Sequence, residues 1–588
     1  MGNLRIWLLS LFVFGIIAFF PVSESSPSHM HFQKRAQQPQ AKAAVTTKLP
    51  DFKVRGTNLG GWLLVEGWIK PSLFDGIPNK DFLVSIFIYI YIYIYIYISI
   101  WYFRNGVIGI RPANINITTP FAPSREALPE IISLTNFSDG TVLEFKSVTT
   151  QKYLCAENGG GGFLEASCND TCGWDQFRLW RIKENLFRFR VPKNQFVGLD
   201  GIEVVAVVTN ATESETFEII KESKDSNRVR IRASNGFYLQ AKTEKSVTAD
   251  IAAVIGWENN DPTVFNLTIV SHIDGDFQLQ NGYGAQAARV MQDHYDTFID
   301  ESDFKFMNDS GVNAVRIPVG WWTTKDPNPP SPFVSGTLKA LDKAFEWAKT
   351  YGLKVVLDLH AAPDSQNGVA HSTTRDGSLE WGKTYANIEE TLEVIEFFAK
   401  RYGKHKSLYG FELINEPLYP YVTLKSLEDY YRAAHKVVRK YNPTVYVIFS
   451  IRLSFTEAEV PPIHELFPLA NSLDDDKIVV DVHWYSLYYD IFTGLSAQEH
   501  IDYIKYNRSQ QMADLLDNSG KALINIGEWS CGWGVENPTT QELKDFANAQ
   551  IQVYDQATFG WTFWTWKNVE NNWSLKWLIQ NTIINLRS

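Results

Sequence analysis

The stretch Leu408-Tyr-Gly-Phe-Glu-Leu-Ile-Asn415, followed by Glu416 and Pro417, is a short and mostly apolar run that ends in polar residues. A run of this kind is typical of a strand that is buried on both faces, as in a parallel sheet. Functional groups of α/β barrels lie at the carboxyl ends of their strands, and Glu416 occupies that position. The stretch therefore predicts a buried parallel strand with a carboxylate at its functional end.

Six comparable runs, rich in Val, Ile and aromatic residues, occur after residue 272, beginning at Val312, Leu353, Val445, Ile478, Ala522 and Gly560. Amphipathic helical stretches separate them, at Leu338 to Lys349, Ile388 to Arg401, Leu427 to Lys440 and Gln541 to Gln556. An eighth run, Val54-Arg-Gly-Thr-Asn-Leu-Gly-Gly-Trp, lies far upstream. Eight strands with intervening helices predict a (β/α)8 TIM barrel, with its first strand in residues 50–83 and the remainder in residues 272–588.

An internal repeat of about 40 residues occupies residues 139–270, where helical periodicity is absent from the sequence. Its copies begin with Lys152-Tyr-Leu-Cys-Ala, Gln195-Phe-Val-Gly-Leu and Gly236-Phe-Tyr-Leu-Gln-Ala, and a second strand such as Gln176-Phe-Arg-Leu follows each. Three β-rich units favour a β-trefoil over a propeller, which needs at least four blades. The region resembles the fascin-like and ricin-like trefoils, and an irregular β insertion is the alternative. The predicted fold class is α/β, a TIM barrel with an all-β β-trefoil domain inserted after its first strand.

Residues 84–125 contain a long alternation of Ile and Tyr. A strand of this composition is apolar on both faces and prone to aggregate. Since ATA encodes Ile and TAT encodes Tyr, an uninterrupted TA dinucleotide repeat translates as this peptide. We interpret residues 84–125 as a low-complexity insertion translated from an intron, which sequencing of the spliced transcript tests. A transmembrane span is the other interpretation, although Tyr at every second position is atypical of a bilayer centre.

The amino terminus has the order of a secretory signal peptide, with Arg5, an apolar run from Ile6 to Phe20, and then small polar residues. This predicts a signal peptide over residues 1–25 and no stable membrane span, because the apolar run is short. Asn-x-Ser/Thr acceptor sites follow at Asn116, Asn136, Asn169, Asn210, Asn266, Asn308, Asn507 and Asn572. We expect a secreted glycoprotein of the extracellular space or the cell wall.

Composition narrows the class of function. The formal net charge of −11 disfavours nucleic acid and anionic membranes as partners, because both need clustered Lys and Arg. Aromatic residues make up 14% of the chain, which suits a carbohydrate cleft and is equally compatible with large cores. Cys155, Cys168 and Cys172 are close enough in sequence for one pair to bridge, and their spacing is a poor match to a metal site. We expect a monomer that uses neither metal nor cofactor.

Polar residues at the strand ends form the candidate site. They are Arg316, His360, Asn415, Glu416, His483, Tyr485, Glu528 and Trp564. Two carboxylates with His, Tyr and Trp are typical of a glycosidase, in which one acid protonates the leaving oxygen and the other carboxylate attacks the anomeric carbon. Each residue also has a structural interpretation, such as an internal salt bridge for Arg316 or core packing for Trp564.

Five motifs in this order resemble those of glycoside hydrolase family 5, in particular its plant glucan 1,3-β-glucosidases (exo-β-glucanases), which also carry a fascin-like insertion. The motifs are Arg55-Gly-Thr-Asn-Leu-Gly-Gly-Trp-Leu-Leu-Val-Glu66, Asp358-Leu-His-Ala-Ala-Pro-Asp-Ser-Gln-Asn-Gly, Ile414-Asn-Glu-Pro, Asp481-Val-His-Trp-Tyr and Ile526-Gly-Glu-Trp-Ser. The resemblance covers about residues 50–80 and 272–588.

The resemblance implies a retaining β-glucosidase that acts by double displacement, with Glu416 as general acid/base and Glu528 as nucleophile. It also implies substrate-binding or supporting roles for the remaining residues. Asn415 would hold the sugar 2-hydroxyl, Arg316 and Tyr485 would support Glu528, His360 and His483 would position groups, Trp564 would lie under the sugar, and Glu66 would bind its outer hydroxyls.

One departure from the family pattern widens the substrate prediction. Fungal relatives carry an acidic residue just after Gln-Asn-Gly, whereas this chain has Val369 and Ala370. Exo-acting hydrolysis of β-1,3-glucan, hydrolysis of small β-glucosides and transglycosylation therefore all stay open. The alternative function is that of a non-catalytic secreted carbohydrate-binding protein. A third, actin bundling through the trefoil, conflicts with the signal peptide.

Overall fold

A computed structural model describes residues 49–77, 137–169, 173–183, 185–225, 227–254, 256–455 and 460–587. These residues form two compact units, one comprising the described residues up to Asp75 and from Ser271 onward, the other those from Gly76 to Val270. The predicted signal peptide (1–25), the Ile/Tyr stretch (84–125), Asn116, Asn136 and Cys172 lie outside the described residues.

Eight parallel strands close into a barrel in the first unit. Numbered along the chain, they are β1 (Val54–Asn58), β14 (Ala314–Gly320), β15 (Lys354–Ala361), β16 (Leu408–Glu412), β17 (Tyr446–Ser450), β18 (Ile478–His483), β19 (Leu523–Glu528) and β20 (Gly560–Phe563). β20 pairs with β1, with Gly560 opposite Val54, and this pairing closes the ring. Every residue of β14 and β19 is buried, as expected for strands that are covered on both faces. The predicted TIM barrel is confirmed.

Helices alternate with the barrel strands. They are Asp276–Tyr283, Ala287–Thr297, Glu301–Asp309, Thr337–Thr350, Tyr385–Tyr402, Leu424–Tyr441, Phe467–Ser472, Ala497–Tyr503, Ser509–Asn518, Thr540–Tyr554 and Leu575–Gln580. All four helices expected from amphipathic patterns are present, with bounds within about three residues of those expected. Thr384, Thr423 and Thr539 cap three of them, since each side-chain oxygen accepts from the backbone N–H three residues later.

The amino-terminal end of the barrel is filled by apolar side chains. Its buried cluster comprises Val54, Ala314, Val356, Tyr446, Ile448, Val479, Leu523 and Phe559. Gly560 has a φ of 132°. A Cβ at this position would overlap the backbone of Val54, so glycine is required where β20 meets β1. This packing leaves the opposite, carboxyl end of the barrel for polar residues.

Twelve strands form the second unit, and all the pairings given for them are antiparallel. They are β2 (Val142–Ser147), β3 (Tyr153–Ala156), β4 (Gly162–Cys168), β5 (Phe177–Lys183), β6 (Leu186–Arg190), β7 (Phe196–Asp200), β8 (Glu203–Val208), β9 (Phe217–Lys221), β10 (Arg228–Ala233), β11 (Tyr238–Thr243), β12 (Ser246–Ile251) and β13 (Phe265–Ser271). Buried phenylalanines form much of the core, including Phe145, Phe177, Phe189, Phe217 and Phe265. The unit is all-β as predicted, and its assignment as a trefoil stays a prediction.

Membrane-spanning helices and exposed glycosylation acceptors are relevant to the expected secretion of the protein. No helix among residues 49–77 and 137–587, where described, is long and apolar enough to cross a membrane. Among the predicted glycosylation acceptors, Asn169, Asn210, Asn266, Asn308 and Asn507 are exposed. Glycosylation and the disulfide stay predictions.

Candidate active site

The carboxyl ends of the barrel strands carry the predicted site residues. Arg316 lies in β14 and His360 in β15, while His483 and Glu528 are the last residues of β18 and β19. Trp564 directly follows β20. Because parallel strands end at one edge of the barrel, residues far apart in sequence meet there.

Glu416 is held just beyond β16 by contacts to the neighbouring strands. The backbone N–H of Asn415 donates to the carbonyl of Leu359 (3.0 Å), and that of Glu416 donates to Ser450 Oγ (3.2 Å). Glu416 has a φ of 46°, which is in the left-handed region. Residues other than glycine adopt this conformation at a cost, and such strain is concentrated at functional sites.

Arg316 is fully buried and uses all five of its N–H groups. Nε and Nη2 donate to the two oxygens of Glu412, at 2.6 and 2.9 Å. Nη1 donates to Asn58 Oδ1 (2.9 Å) and to Glu528 Oε1 (3.0 Å). Nη2 also donates to Asn415 Oδ1 (2.7 Å). The guanidinium therefore fixes side chains from β1, β16 and β19 around one point.

Glu416 and Glu528 lie on either side of His483. Glu416 Oε1 is 2.6 Å from His483 Nδ1, and the same nitrogen is 3.6 Å from Glu528 Oε2. Tyr485 Oη donates to Glu528 Oε2 at 2.6 Å. One oxygen from each carboxylate and a ring nitrogen of His483 all lie within 4.8 Å of one another. The two carboxylates therefore face a single gap.

The surroundings of the two carboxyl groups give them different pKa values. Burial raises the pKa of Glu528 to about 8, and the charge of Glu416 adds to the effect, against His483, Arg316 and the Tyr485 hydrogen bond. Burial also acts to raise the pKa of Glu416, but the charge of His483 and its hydrogen bond outweigh burial and bring that pKa to about 2. Burial lowers the pKa of His483, but Glu528 and Glu416 raise it well above its ordinary value. The pair keeps one proton near neutral pH.

Glu66 and Trp564 border the same site. Glu66 is 4% exposed, and Trp68 Nε1 donates to its Oε2 at 2.9 Å, whereas its buried Oε1 accepts no hydrogen bond from the described residues. Burial raises the pKa of Glu66 to about 8, and the charges of Glu528 and Glu416 contribute. The ring of Trp564 stacks on His360, with centroids 5.4 Å apart and an interplanar angle of 12°. An unused buried acceptor and an aromatic face suit a sugar ring.

Two triads place carboxylates and an imidazole at metal-binding distances: Glu412, Asp481 and His483, and Glu416, His483 and Glu528. Arg316 donates to Glu412 and to Glu528, so a cation already occupies the space beside both triads and opposes a second one. The donor set fits a metal ion poorly.

Comparison with known proteins identifies the barrel. Residues 278–570 match the family described as cellulase (glycosyl hydrolase family 5). A probable glucan 1,3-beta-glucosidase A from Aspergillus fumigatus is 30% identical over 341 residues, which are 51% of this chain and 77% of that protein. The chain belongs to glycosyl hydrolase family 5.

A second curated relative and one solved structure are also similar to parts of this chain. A glucan 1,3-beta-glucosidase from Schwanniomyces occidentalis is 31% identical over 330 residues, 50% of this chain and 74% of that protein. Among solved structures, the rutinosidase from Aspergillus niger has a TM-score of 0.44 and 20% identity over 53% of this chain and 89% of that chain. Residues 135–270 match a domain of unknown function, DUF7910. Membership of family 5 makes this chain a glycoside hydrolase.

The family 5 site brings the predicted residues together. Hydrogen bonds, ion pairs and ring stacking link Arg316, His360, Asn415, Glu416, His483, Tyr485, Glu528 and Trp564. The charges of Glu416 and Glu528 raise the pKa of Glu66, but among the described residues Glu66 shares no hydrogen bond with either of them. The catalytic and binding roles of all these residues stay predictions.

Several residues of the family 5 site were not among those predicted from the sequence. They are Asn58, Asp358, Gln366, Asn367, His371, Glu412 and Asp481. Asp358, Glu412 and Asp481 are charged residues inside otherwise apolar strands, and that contrast is a signal for buried function. His371 lies in a loop, where a lone histidine has no comparable signal.

Proposed function

We propose that the chain is a retaining β-glycosidase with Glu416 as general acid/base and Glu528 as nucleophile. The observation that supports this most is that an oxygen of each carboxylate and His483 lie within 4.8 Å of one another. Retaining enzymes separate the two carboxyl groups by about 5–5.5 Å, whereas inverting enzymes need about 6.5–9.5 Å to admit a water. In the first step Glu528 bonds to the anomeric carbon as Glu416 gives its proton to the leaving oxygen. In the second, Glu416 takes a proton from water, whose oxygen displaces Glu528.

The hydrogen bonds favour Glu528 as the ionised member of the pair. Arg316 and Tyr485 both donate to it, and both interactions stabilise a carboxylate. The pKa values of about 8 for Glu528 and about 2 for Glu416 describe the opposite distribution, because burial and the charge of Glu416 raise the first and protonated His483 lowers the second. Transfer of the His483 proton across the 2.6 Å contact from Nδ1 to Glu416 Oε1 gives Glu416 the proton that a general acid needs. Glu528 must release its own proton to solvent before it attacks the sugar.

The surrounding residues suit a sugar in the gap. Asn415 Oδ1 accepts from Arg316, so only the amide nitrogen of Asn415 can donate to the 2-hydroxyl. One hydrogen of that nitrogen is directed to His360 Nε2 (3.4 Å), whose Nδ1 donates to Asp358 at 2.6 Å, and the other hydrogen is left for the hydroxyl. Glu66 Oε1 is a buried acceptor for an outer hydroxyl, and Trp564 provides an apolar face.

We further propose an exo-acting β-glucosidase of the plant exo-β-glucanase kind. The names of the relatives, glucan 1,3-beta-glucosidases, support β-1,3-glucan as the substrate. Val369 and Ala370 replace an acidic residue expected next to the terminal glucose, so small β-glucosides and transfer to acceptors other than water stay in the proposal. Transfer requires only that a sugar hydroxyl replaces water in the second step.

The domain layout is part of this proposal: barrel segments in 50–83 and 272–588, and an inserted fascin-like trefoil in 139–270. The pairing of β2 with β5, β6 with β9 and β10 with β13 supports three equivalent units of four strands. The hairpins β3–β4, β7–β8 and β11–β12 repeat with the same period. Exposed glycosylation acceptors and the predicted signal peptide support secretion.

Replacement of the nucleophile tests the proposal. Glu528→Gln should lower the release of p-nitrophenol from p-nitrophenyl β-glucoside by at least about 1,000-fold. Glu396→Gln, at an exposed glutamate paired with Lys440, is the matched control and should keep full activity. NMR of the first sugar released should show the β anomer. An α anomer contradicts retention, and a wild type without activity on any β-glycoside favours the carbohydrate-binding alternative.

A further inference from the structure

Two strands of the barrel carry an aspartate two residues before a histidine. β15 contains Asp358 and His360, and β18 contains Asp481 and His483. Residues two apart in a strand lie on the same face, so each aspartate can reach the histidine that follows it. Asp358 Oδ2 is 2.6 Å from His360 Nδ1, whereas Asp481 Oδ2 is 3.2 Å from His483 Nε2. The two pairs therefore use opposite nitrogens of the imidazole ring.

The pair on β18 leaves Nδ1 of His483 facing the proposed acid/base residue. Nδ1 lies 2.6 Å from Glu416 Oε1, so the ring is held between two carboxyl groups. A carboxylate only accepts hydrogen bonds, so when both are ionised each ring nitrogen carries a hydrogen and His483 is a cation. Burial lowers the pKa of His483, but the charges of Glu528 and Glu416 and the hydrogen bond to Asp481 raise it well above its ordinary value.

The pair on β15 shows the opposite outcome, because a cation lies beside its aspartate. Asp358 Oδ2 is also 3.1 Å from Arg316 Nη2. Burial lowers the pKa of His360 well below its ordinary value, and nearby cations that include Arg316 contribute. Among the described residues, the five N–H groups of Arg316 are all directed away from Asp481. Asp481 therefore keeps its attraction for a proton on His483.

The surroundings of Asp481 hold its carboxylate in place. The side chain is fully buried, and its second oxygen, Oδ1, accepts from Asn525 Nδ2 at 2.9 Å. A hydrogen bond of this kind stabilises the ionised form. A Cβ on Gly527 would overlap the carboxyl group of Asp481, so glycine is required at this position of β19. The glycine directly before Glu528 thus makes room for the aspartate.

Other titratable groups face His483 from the neighbouring strands. Glu528 Oε2 of β19 lies 3.6 Å from Nδ1, and a carboxylate oxygen of Glu412 in β16 lies within 4.8 Å of both Asp481 and a ring nitrogen. Only Asp481, among the described residues, is within hydrogen-bonding distance of Nε2. The remaining charged or titratable neighbours are Glu416, Asp358, His360 and His371, with Arg316 beyond Glu412 and Glu528.

A hydrogen that stays on Nε2 leaves a single mobile proton between His483 and Glu416. When Glu416 is ionised, this proton is on Nδ1. When it moves, the N–H bond breaks, an O–H bond forms at Glu416 Oε1, and the imidazole becomes neutral with its hydrogen on Nε2. We propose that Asp481 is a positioning residue that keeps the Nε2 hydrogen of His483 in both states, so that the imidazole exchanges its proton with Glu416 alone. This inference rests on the proposed function and deepens it.

The pH dependence of kcat/KM tests this role. Asp481→Asn keeps the shape of the side chain and removes its charge, and Asn525 can turn its amide so that its unused Oδ1 accepts from the new amide. The proton shared by His483 and Glu416 should then be lost more readily, so the alkaline limb should move to lower pH by about 1–2 units. The loss of kcat/KM at neutral pH should be about ten times larger for alkyl β-glucosides, which need protonation, than for dinitrophenyl β-glucoside.

A second readout needs no turnover. Long-range proton–nitrogen NMR spectra of protein labelled with ¹⁵N-histidine distinguish the cation from the two neutral tautomers, and the signals of His483 are those missing in His483→Gln. In the wild type, Nε2 should carry a hydrogen at every pH at which the protein is folded. In Asp481→Asn the ring should lose its proton at lower pH. Asp514→Asn, at an exposed carboxylate 2.9 Å from His464 Nε2, is the matched control and should change neither the limbs nor the His483 signals.

A neutral His483 with its hydrogen on Nδ1 in the wild type overturns the inference, and this result decides even if Asp481→Asn does not fold. An unmoved alkaline limb in folded Asp481→Asn, with equal losses for both leaving groups, also overturns it. If the wild type hydrolyses no β-glycoside but His483 keeps its Nε2 hydrogen and titrates at lower pH in Asp481→Asn, the proposed function fails and the placement of the proton by Asp481 holds. If the wild type is active and His483 titrates identically in both proteins, the inference alone fails.

Discussion

Removal of one hydroxyl group tests how the nucleophile is kept ionised. Tyr485 Oη donates to Glu528 Oε2 at 2.6 Å, and burial raises the pKa of Tyr485 well above its ordinary value, so the phenol keeps its proton and donates. A hydrogen bond to a charged group contributes about 1.5–3 kcal/mol. At 1.36 kcal/mol per pKa unit, its loss in Tyr485→Phe should raise the pKa of Glu528 by about 1–2 units.

The sign of the effect is fixed by the role of Glu528. A nucleophile must be ionised, so kcat/KM rises as pH increases through the pKa of Glu528, and this pKa defines the acid limb. The acid limb of Tyr485→Phe should therefore move to higher pH by about 1–2 units, with a smaller change in the plateau above it. Initial rates with p-nitrophenyl β-glucoside across the pH range, extrapolated to kcat/KM, give the limb directly.

Tyr441 offers a matched control for this measurement. Its Oη donates to a carboxylate oxygen of Glu396, also at 2.6 Å, and Glu396 is paired with Lys440 and 42% exposed. Tyr441→Phe removes the same atom from the same kind of bond and should leave both limbs in place. If Tyr485→Phe lowers the rate equally at every pH, with the acid limb unmoved, Tyr485 only shapes the site and the electrostatic argument is wrong.

Three further substitutions probe the buried charges and the sugar platform. Burial raises the pKa of Glu66 to about 8, so the free energy of unfolding should fall as pH rises from about 4.5 to 8, and Glu66→Gln should remove roughly 3–5 kcal/mol of this fall in urea titrations. Arg316→Lys loses the planar fork that binds Glu412, and it should lower stability by about 3–5 kcal/mol and kcat/KM by at least about 100-fold. Trp564→Ala should lower kcat/KM about 10–100-fold, mainly through KM, because it removes the apolar face beside His360.

The barrel was predictable because its strands are nearly pure apolar runs. Every residue of β14 and β19 is buried. A short apolar run of this kind is best interpreted as a buried parallel strand when helices with a 3.6-residue period separate it from the next apolar run. The strand ends were predictable for the same reason, since Glu416 and Glu528 interrupt apolar sequence at the end of a run. The repeat in residues 139–270 predicted units rich in β-strands. It did not predict which strands pair, because a pairing such as that of β2 with β5 joins strands that are not neighbours in sequence.

The contacts within the site were beyond the reach of the sequence. Asn58 and Glu412 meet on Arg316, although more than 350 residues separate them in the chain. No local pattern specifies that meeting, because it results from closure of the barrel. His371 is a second case, because its contacts with Asn367 (2.7 Å) and Glu416 (3.3 Å) form only when the loop after β15 is in place.

The contact with Glu412 explains how Arg316 can stabilise the ionised form of Glu528 without preventing its attack on the sugar. A carboxylate bound by both prongs of a guanidinium has two strong donors on its oxygens, and the stabilisation of its charge opposes attack on a carbon. In this site Glu412 takes the two-pronged contact, at 2.6 and 2.9 Å. Glu528 receives one N–H from Arg316 on Oε1 and one O–H from Tyr485 on Oε2. Each oxygen of Glu528 keeps a lone pair, so the proposed nucleophile is both held in its ionised form and free to bond to the sugar.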